Sequence, residues 1–368
     1  MQDEFFQGRK VLITGHTGFK GAWLCHLLGQ LGAQVLGYSL DPPSHPSLFG
    51  LSGLDADPPK TQANLHADVL DLPRLAKAVA EFSPEIVIHM AAQSLVRPSY
   101  ADPAGTFAVN VQGTVNVLEA CRLAPAPEGK NRAIVVVTSD KCYENREWVH
   151  GYRETDPMGG HDPYSASKGC AELASTAFAR SFFPAQTHSA HRTALATARA
   201  GNVIGGGDFA TDRLVPDMAR AFAKAEPVRI RRPEAVRPWQ HVLEPLSGYL
   251  LLARRLIESG PAFAGGWNFG PSPDDIRSVG QVAERFARLW GDDARLDLDK
   301  GEHPHEAGLL VLDCAKARTL LGWQPRLGLD EALLWTCGWY HAWASGDHDL
   351  RELVRARVRE FLAKPRGL

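Results

Sequence analysis

An α/β fold is predicted: a doubly wound parallel sheet, followed by a smaller, partly interleaved C-terminal lobe for the substrate. Three observations predict it. Apolar runs without polar alternation recur in the first half, at Lys10–Thr14, Gln34–Asp41, Glu85–Gln93 and Ala133–Ser139. Strands of that texture are buried on both faces. Helical patterns separate the runs, so the strands return in parallel by crossover. Finally, a glycine-rich turn joins the first run to the first helix.

Each element has its own signal. "KVLIT" opens the sheet, and Leu24, Leu27, Leu28 and Leu31 then form one apolar helical stripe that Gly32 closes. "QVLGYSLD" is the second strand, and "PPSHPS" (Pro42 to Ser47) is a loop. "EIVIHMAAQ" is the next strand, followed by one long helix around "FAVNVQGTVNVLEACRLA" and then "AIVVVTS". "GGHDP" (Gly159 to Pro163) is a further loop. Beyond Ala200 the texture changes to Gly-rich "GNVIGGGD", Arg-rich "VRIRRPEAVRP" and short helices such as "VGQVAERFARLW". Residues 1–200 are therefore expected to form the first domain. Residues 201–368 mainly form the second lobe, with some segments returning to the first.

Composition narrows the function. The chain has 368 residues, 44% of them hydrophobic and 22% charged, with a formal net charge of -2. That charge argues against a general nucleic-acid or membrane-surface partner. No apolar run approaches the ~20 residues of a membrane helix. The N-terminus is acidic and enters a strand at once, which is unlike a signal peptide. Six cysteines without a CxxC pair suggest reduced thiols in a cytoplasmic protein. No metal is expected, because Pro304 breaks the spacing of the only histidine cluster, "EHPHEA".

Gly15, Gly18 and Gly21 sit between the first strand and first helix as GxxGxxG. Glycine there lets the backbone approach a pyrophosphate, while the helix N-terminus presents N–H groups to the anion. Asp41 follows the second strand, 20 residues past Gly21. An acid there suits the ribose hydroxyls of NAD and repels the extra phosphate of NADP. The first domain is thus Rossmann-like and its expected cofactor is NAD. The bland reading of Asp41 is a turn residue before Pro42.

"YSASK" sets Tyr164 and Lys168 one helical turn apart, on one face. A nearby ammonium and a cationic nicotinamide would lower the phenol's pKa from its usual ~10. Alone the spacing is common on helix surfaces. It gains weight from "VVVTSDKCY", an apolar run that ends in Ser139, Asp140 and Lys141.

Together the glycine turn, the polar strand end and the Tyr/Lys pair resemble the extended short-chain dehydrogenase/reductase family. The longer stretches "GHTGFKG", "DPPSHPSLF", "TSDKCYEN", "GYRETDPMGGHDPYSASKGCAEL", "RAGNVIGGGD", "RLVPD", "RPWQHVLEPLSGYL" and "LGWQP" resemble its NAD-dependent sugar-nucleotide dehydratases and epimerases. The resemblance implies conversion of CDP-D-glucose to CDP-4-dehydro-6-deoxy-D-glucose plus water. In that scheme carbon 4 is oxidised, water is eliminated across carbons 5 and 6, and hydride returns to carbon 6.

By the same resemblance Ser139, Tyr164 and Lys168 form the oxidising set. Asp140, protonated, would donate to the departing 6-hydroxyl, so burial must raise its pKa. Lys141 would handle the carbon 5 proton after losing its own, or would stay charged and stabilise the enolate. Implied cofactor contacts are Gly15, Thr17, Gly18, Phe19, Lys20, Gly21, Asp41, Asp68, Val69, Ala91, Ala92 and Thr138, with Tyr164 and Lys168. Implied substrate contacts are Gln93, Ser94, Asn202, Leu214, Val215, Arg237, Asn268 and His305. Arg237 has the clearest reason, since a guanidinium pairs with phosphate oxygens through two parallel bonds. A homodimer or homotetramer is the family default. The rivals are a sugar-nucleotide 4-epimerase, which needs no acid–base pair for elimination, a dehydratase for another nucleotide sugar, and a silent NAD sensor.

Overall fold

The computed structural model describes residues 4–292, 294–298 and 308–365. Its centre is a seven-stranded sheet of β1 (Lys10–Thr14), β2 (Gln34–Ser39), β3 (Gln62–His66), β4 (Ile86–His89), β5 (Arg132–Val137), β6 (Thr193–Ala200) and β7 (Gly265–Phe269). All six pairings are parallel, in the order β7-β6-β5-β4-β1-β2-β3. The order reverses between β1 and β4, the point where open sheets of this kind take their ligands.

Alternate residues of each central strand serve opposite faces. Val11, Ile13, Ile86, Ile88, Ala133 and Val135 join one core with Leu24, Leu27, Leu28, Leu246 and Leu250. Leu12, Val87, Ile134 and Val136 join the other with Leu75, Val79, Val117 and Leu118. Each such buried aliphatic side chain stabilises by roughly 1.5–3 kcal/mol relative to exposure, so the strands have no solvated face.

The boundaries differ from the sequence expectation in one consistent way. The ladder of β2 ends at Ser39, that of β4 at His89 and that of β5 at Val137. Asp41, Met90–Gln93 and Thr138–Ser139 thus lie just past the strand ends. The expected single helix around residues 107–124 is three pieces: Pro103–Phe107, a π-helical turn Ala108–Gln112, and Gly113–Leu123. The wide turn accompanies Asn110, whose Oδ1 accepts from Gln93 N at 2.9 Å while Nδ2 donates to Gln93 O and Ser167 Oγ.

The C-terminal half contributes to the sheet as well as to its flank. Gly265–Phe269 forms β7 beside β6. Helix Leu243–Ser259 packs on β5 and β6, and helix Leu350–Ala363 packs on helix α1 (Phe19–Gln30). Among the described residues no helix is long and apolar enough to cross a membrane.

Candidate active site

The glycine turn is closed by contacts that only glycine allows. Gly15 adopts φ +76°, and a Cβ there would stand 2.7 Å from Ala91 N. At Gly21 a Cβ would meet Gly15 O at 2.2 Å. Gly18 caps α1 without any side-chain bond, so no side chain occupies the first-turn N–H groups at Phe19 and Lys20. Thr17 ties the turn to the end of β2 through Ser39 Oγ at 2.9 Å and Leu40 O at 3.0 Å.

Asp41 lies beyond β2 with its side chain exposed, 3.5 Å from His66 Nε2. Past β3, Asp68 Oδ1 accepts from Leu70 N at 2.9 Å, and buried Val69 accepts from Asn116 Nδ2 through its carbonyl. Ala91 and Ala92 follow β4, half-buried. A tight backbone cradle, an uncapped helix start and an exposed acid one strand away fit a dinucleotide.

Next to this cradle the structure gathers the polar end of β5 and the start of α2 (Pro163–Ser181). Asp162 caps that helix, accepting from Ser165 N at 2.9 Å and Ser165 Oγ at 2.6 Å, with Pro163 in the first position. The cap fixes where the helix starts, and hence where Tyr164 and Lys168 fall. Ser139 in turn caps a short 3₁₀ turn, Asp140–Cys142, by accepting from Lys141 N at 3.2 Å. Its hydroxyl donates to Asp140 Oδ1 at 3.0 Å. Asp140 is buried, Lys141 half-buried.

Burial dominates the electrostatics. It raises the Asp140 carboxyl, against the pull of Lys141, Ser139, Arg237 and Lys20. That is the direction a proton donor requires. Lys168 is lowered to about 8 by burial, and its Nζ donates to Val137 O at 3.3 Å. Half-buried Lys20 is lowered to about 8, by burial and then by Arg213, with Asp140 opposing. Tyr164 is raised instead in the chain by itself. Burial takes its phenol to about 12, with Ser139 and Arg213 pulling it down and Asp140 and Asp162 opposing them.

The implied substrate residues divide. Ser94 is exposed beside Arg213 Nη2, at 3.4 Å. Asn202 is half-buried, and its carbonyl accepts from Gln240 N at 3.2 Å. Leu214 and Val215 start helix Leu214–Phe222, whose N-cap Arg213 gives no side-chain bond, so backbone N–H groups are what this pair presents; the Val215 side chain is buried in the core. Arg237 is buried, with Nη1 donating to Val236 O at 2.9 Å. His305 lies outside the described residues.

Three of the implied contact side chains are engaged within the chain itself. Asn268 is wholly buried; its Nδ2 donates to Tyr152 O and Asp313 O, and its Oδ1 accepts from Tyr143. A side chain so engaged braces the scaffold. Gln93 folds back, donating to Leu95 O and Thr106 Oγ1 and accepting from Leu95 N at 2.6 Å. Its amide shapes the loop after β4. The Thr138 hydroxyl donates to Glu172 Oε1 at 2.5 Å.

Four charged residues escaped the sequence reading. Arg213 pairs with Asp208 at 2.8 Å beside the Tyr164 phenol. Glu172 and Arg199 form a buried pair at 2.8 Å. Glu172 was discoverable: it lies eight residues after Tyr164 on the same helix face. Arg199, inside an alanine-rich strand, gave no pattern.

A family model described as the NAD dependent epimerase/dehydratase family matches residues 11–263. The CDP-glucose 4,6-dehydratase of Salmonella typhimurium is 52% identical over 359 residues, covering 98% of each chain. Two solved structures share the fold. An epimerase of Methanothermobacter thermautotrophicus is 22% identical with TM-score 0.77, covering 96% of this chain and 97% of that one. A UDP-glucose 4-epimerase of Stenotrophomonas maltophila is 23% identical with TM-score 0.77, covering 92% and 99%. The glycine cradle, the Tyr/Lys helix and a match spanning most of the chain lead to one conclusion: this protein belongs to the NAD dependent epimerase/dehydratase family.

Proposed function

We propose that the protein is a CDP-glucose 4,6-dehydratase, a hydro-lyase that converts CDP-D-glucose to CDP-4-dehydro-6-deoxy-D-glucose and water. The observation that carries this is the near-full-length similarity to the Salmonella enzyme, joined to an acid and an amine standing beside Ser139. A 4-epimerase has no use for that pair. When bound, NAD supplies a hydride acceptor for carbon 4 and gives the hydride back to carbon 6.

The chain's own residues do the rest. Tyr164 takes the 4-hydroxyl proton, with Ser139 and Arg213 favouring its phenolate. The ketone so formed acidifies the carbon 5 proton, and Asp140 delivers a proton to the leaving 6-hydroxyl. Burial that raises the Asp140 carboxyl toward the protonated form supports this role. Lys141, when neutral, receives the carbon 5 proton and returns it to carbon 5 as hydride reaches carbon 6; when charged, it stabilises the enolate and another base carries that proton. Arg237 and the start of helix Leu214–Phe222 hold the diphosphate, a guanidinium and backbone N–H groups being suited to an anion. We assign cofactor binding mainly to residues 1–200 and substrate binding mainly to 201–368.

Exposed Phe107 and Leu123 near one helix, with Leu173 and Phe182 on or just after the Tyr164 helix, support pairing with a second copy. Six free cysteines, five of them buried, support a reducing, cytoplasmic setting.

The test is turnover of CDP-glucose without added reductant, beside dTDP-glucose and UDP-glucose. A 4-keto product, read by its absorbance in strong alkali, is expected from CDP-glucose. An unchanged sugar, or a simple 4-epimer, defeats the reading.

A further inference from the structure

Beneath the catalytic cluster lies a closed polar network that the proposed chemistry does not use. Glu172 and Arg199 meet through two bonds, Nε to Oε1 and Nη2 to Oε2, each 2.8 Å. Both residues are buried. Two threonines complete the carboxylate: Thr138 Oγ1 donates to Oε1 at 2.5 Å and Thr197 Oγ1 to Oε2 at 2.6 Å. The remaining arginine nitrogen donates to Tyr143 OH at 2.6 Å, and that hydroxyl donates to Asn268 Oδ1 at 2.8 Å. Three elements therefore meet at one carboxylate, α2, the end of β5 and β6, and Arg199 extends the network through Tyr143 to Asn268 on β7.

The placement of the two threonines is asymmetric. Thr197 lies inside β6, held by its own ladder on both sides. Thr138 is the residue after β5 ends, tied by its N–H to Ala198 O of β6 at 2.9 Å as the last such bond of the run, and the next three are Ser139, Asp140 and Lys141. One helical turn earlier on α2, Lys168 holds the carbonyl of Val137. The helix that carries Tyr164 thus grips the departing strand at two successive residues, by an ammonium on a carbonyl and a carboxylate on a hydroxyl.

We infer that Glu172 is a positioning residue: held rigid by Arg199, it clamps Thr138 and so fixes the Ser139–Asp140–Lys141 segment against the Tyr164 helix. A buried bidentate pair suits this task, because its geometry is specific and it persists only when every partner is in place. Catalysis is sensitive to placement of acid–base groups on the scale of an ångström.

The experiment compares Thr138→Val with Thr197→Val, two isosteric changes that each remove one hydroxyl from the same carboxylate. Glu172 stays fixed by Arg199 in both, so both should fold, and Thr138→Ser restores the clamp. In the full-length protein without substrate, amide hydrogen exchange at residues 139–142 should rise at least tenfold in Thr138→Val. It should stay within twofold of wild type in Thr197→Val and Thr138→Ser. This arm is independent of the substrate. The kinetic arm rests on the dehydratase reading: with CDP-glucose, kcat should fall about tenfold in Thr138→Val with KM within twofold, and stay within twofold in the other two. Equal exchange in the two valine variants, or an equal loss of kcat, overturns the clamp. A wild-type protein inert toward CDP-glucose overturns the functional reading instead, and exchange still decides the clamp.

Discussion

Ser139 Oγ lies 3.0 Å from Asp140 Oδ1 and donates to it, which leaves Oδ2 as a buried carboxyl oxygen without a partner among the described residues. An unpaired buried oxygen is costly as a carboxylate and tolerable as an acid. Replacing Asp140 with Asn keeps the shape and removes the proton. The expected loss is about 10²- to 10⁴-fold in kcat, the usual range for a general acid. KM for CDP-glucose should change little. Steady-state kinetics check this, and an unaltered kcat would remove Asp140 from the mechanism.

Lys141→Met separates the two stages. Oxidation at carbon 4 should survive, seen as near-ultraviolet absorbance of reduced nicotinamide on adding CDP-glucose. Release of the 4-keto, 6-deoxy product should stall. Elimination at the original rate would show that Lys141 neither moves the carbon 5 proton nor stabilises the enolate.

Gly21→Ala tests the cradle. Its Cβ would stand 2.2 Å from Gly15 O and 2.5 Å from His16 Cα, both backbone atoms that cannot swing aside. A cost of about 1–3 kcal/mol is expected from overpacking, together with loss of retained nicotinamide after desalting. Thermal unfolding and the nucleotide content of the desalted protein measure the two effects.

Glu244 gives a pH prediction away from the chemistry. It is buried in helix Leu243–Ser259, where its Oε1 accepts from Arg326 N at 2.9 Å and Leu327 N at 2.8 Å. Burial raises its pKa from 4.5 to about 7 despite those two bonds. Because the folded state binds the proton more tightly, its stabilising contribution is full below about 4.5 and is lost as pH rises through about 7. At ~1.4 kcal/mol per pKa unit this is worth about 3 kcal/mol. Denaturant titrations at pH 5 and pH 8 should show that loss in wild type, and its absence in Glu244→Gln. Parallel behaviour of the two proteins would contradict it.

What the sequence made legible was whatever one segment states by itself. Apolar runs announced β1, β2, β4 and β5, and local spacing announced the glycine turn and the Tyr164/Lys168 face. β3 and β6 went unnoticed for opposite reasons. "QANLH" is polar because it edges the sheet, with only Gln62 fully buried. "TALATARA" is buried throughout yet built from alanine and threonine with one leucine and an arginine, and Arg199 has Glu172 to neutralise it there. The same limit applies to the site. Asn268 and Gln93 have the right residue types and positions for a ligand, and only the three-dimensional partners reveal that their amides are engaged. Arg213 acts on the phenol through its charge, from a turn that nothing nearby in sequence connects to Tyr164.

The edge strand Gly265–Phe269 also governs the order of assembly. Until it emerges during synthesis, Thr193–Ala200 presents an unsatisfied row of amides and carbonyls with no neighbour on that side. The nascent N-terminal portion therefore cannot complete its sheet by itself, and the closing pairing spans a long sequence separation, a slow topology to nucleate. Truncation just before residue 265 should leave a chain prone to self-association through that bare margin.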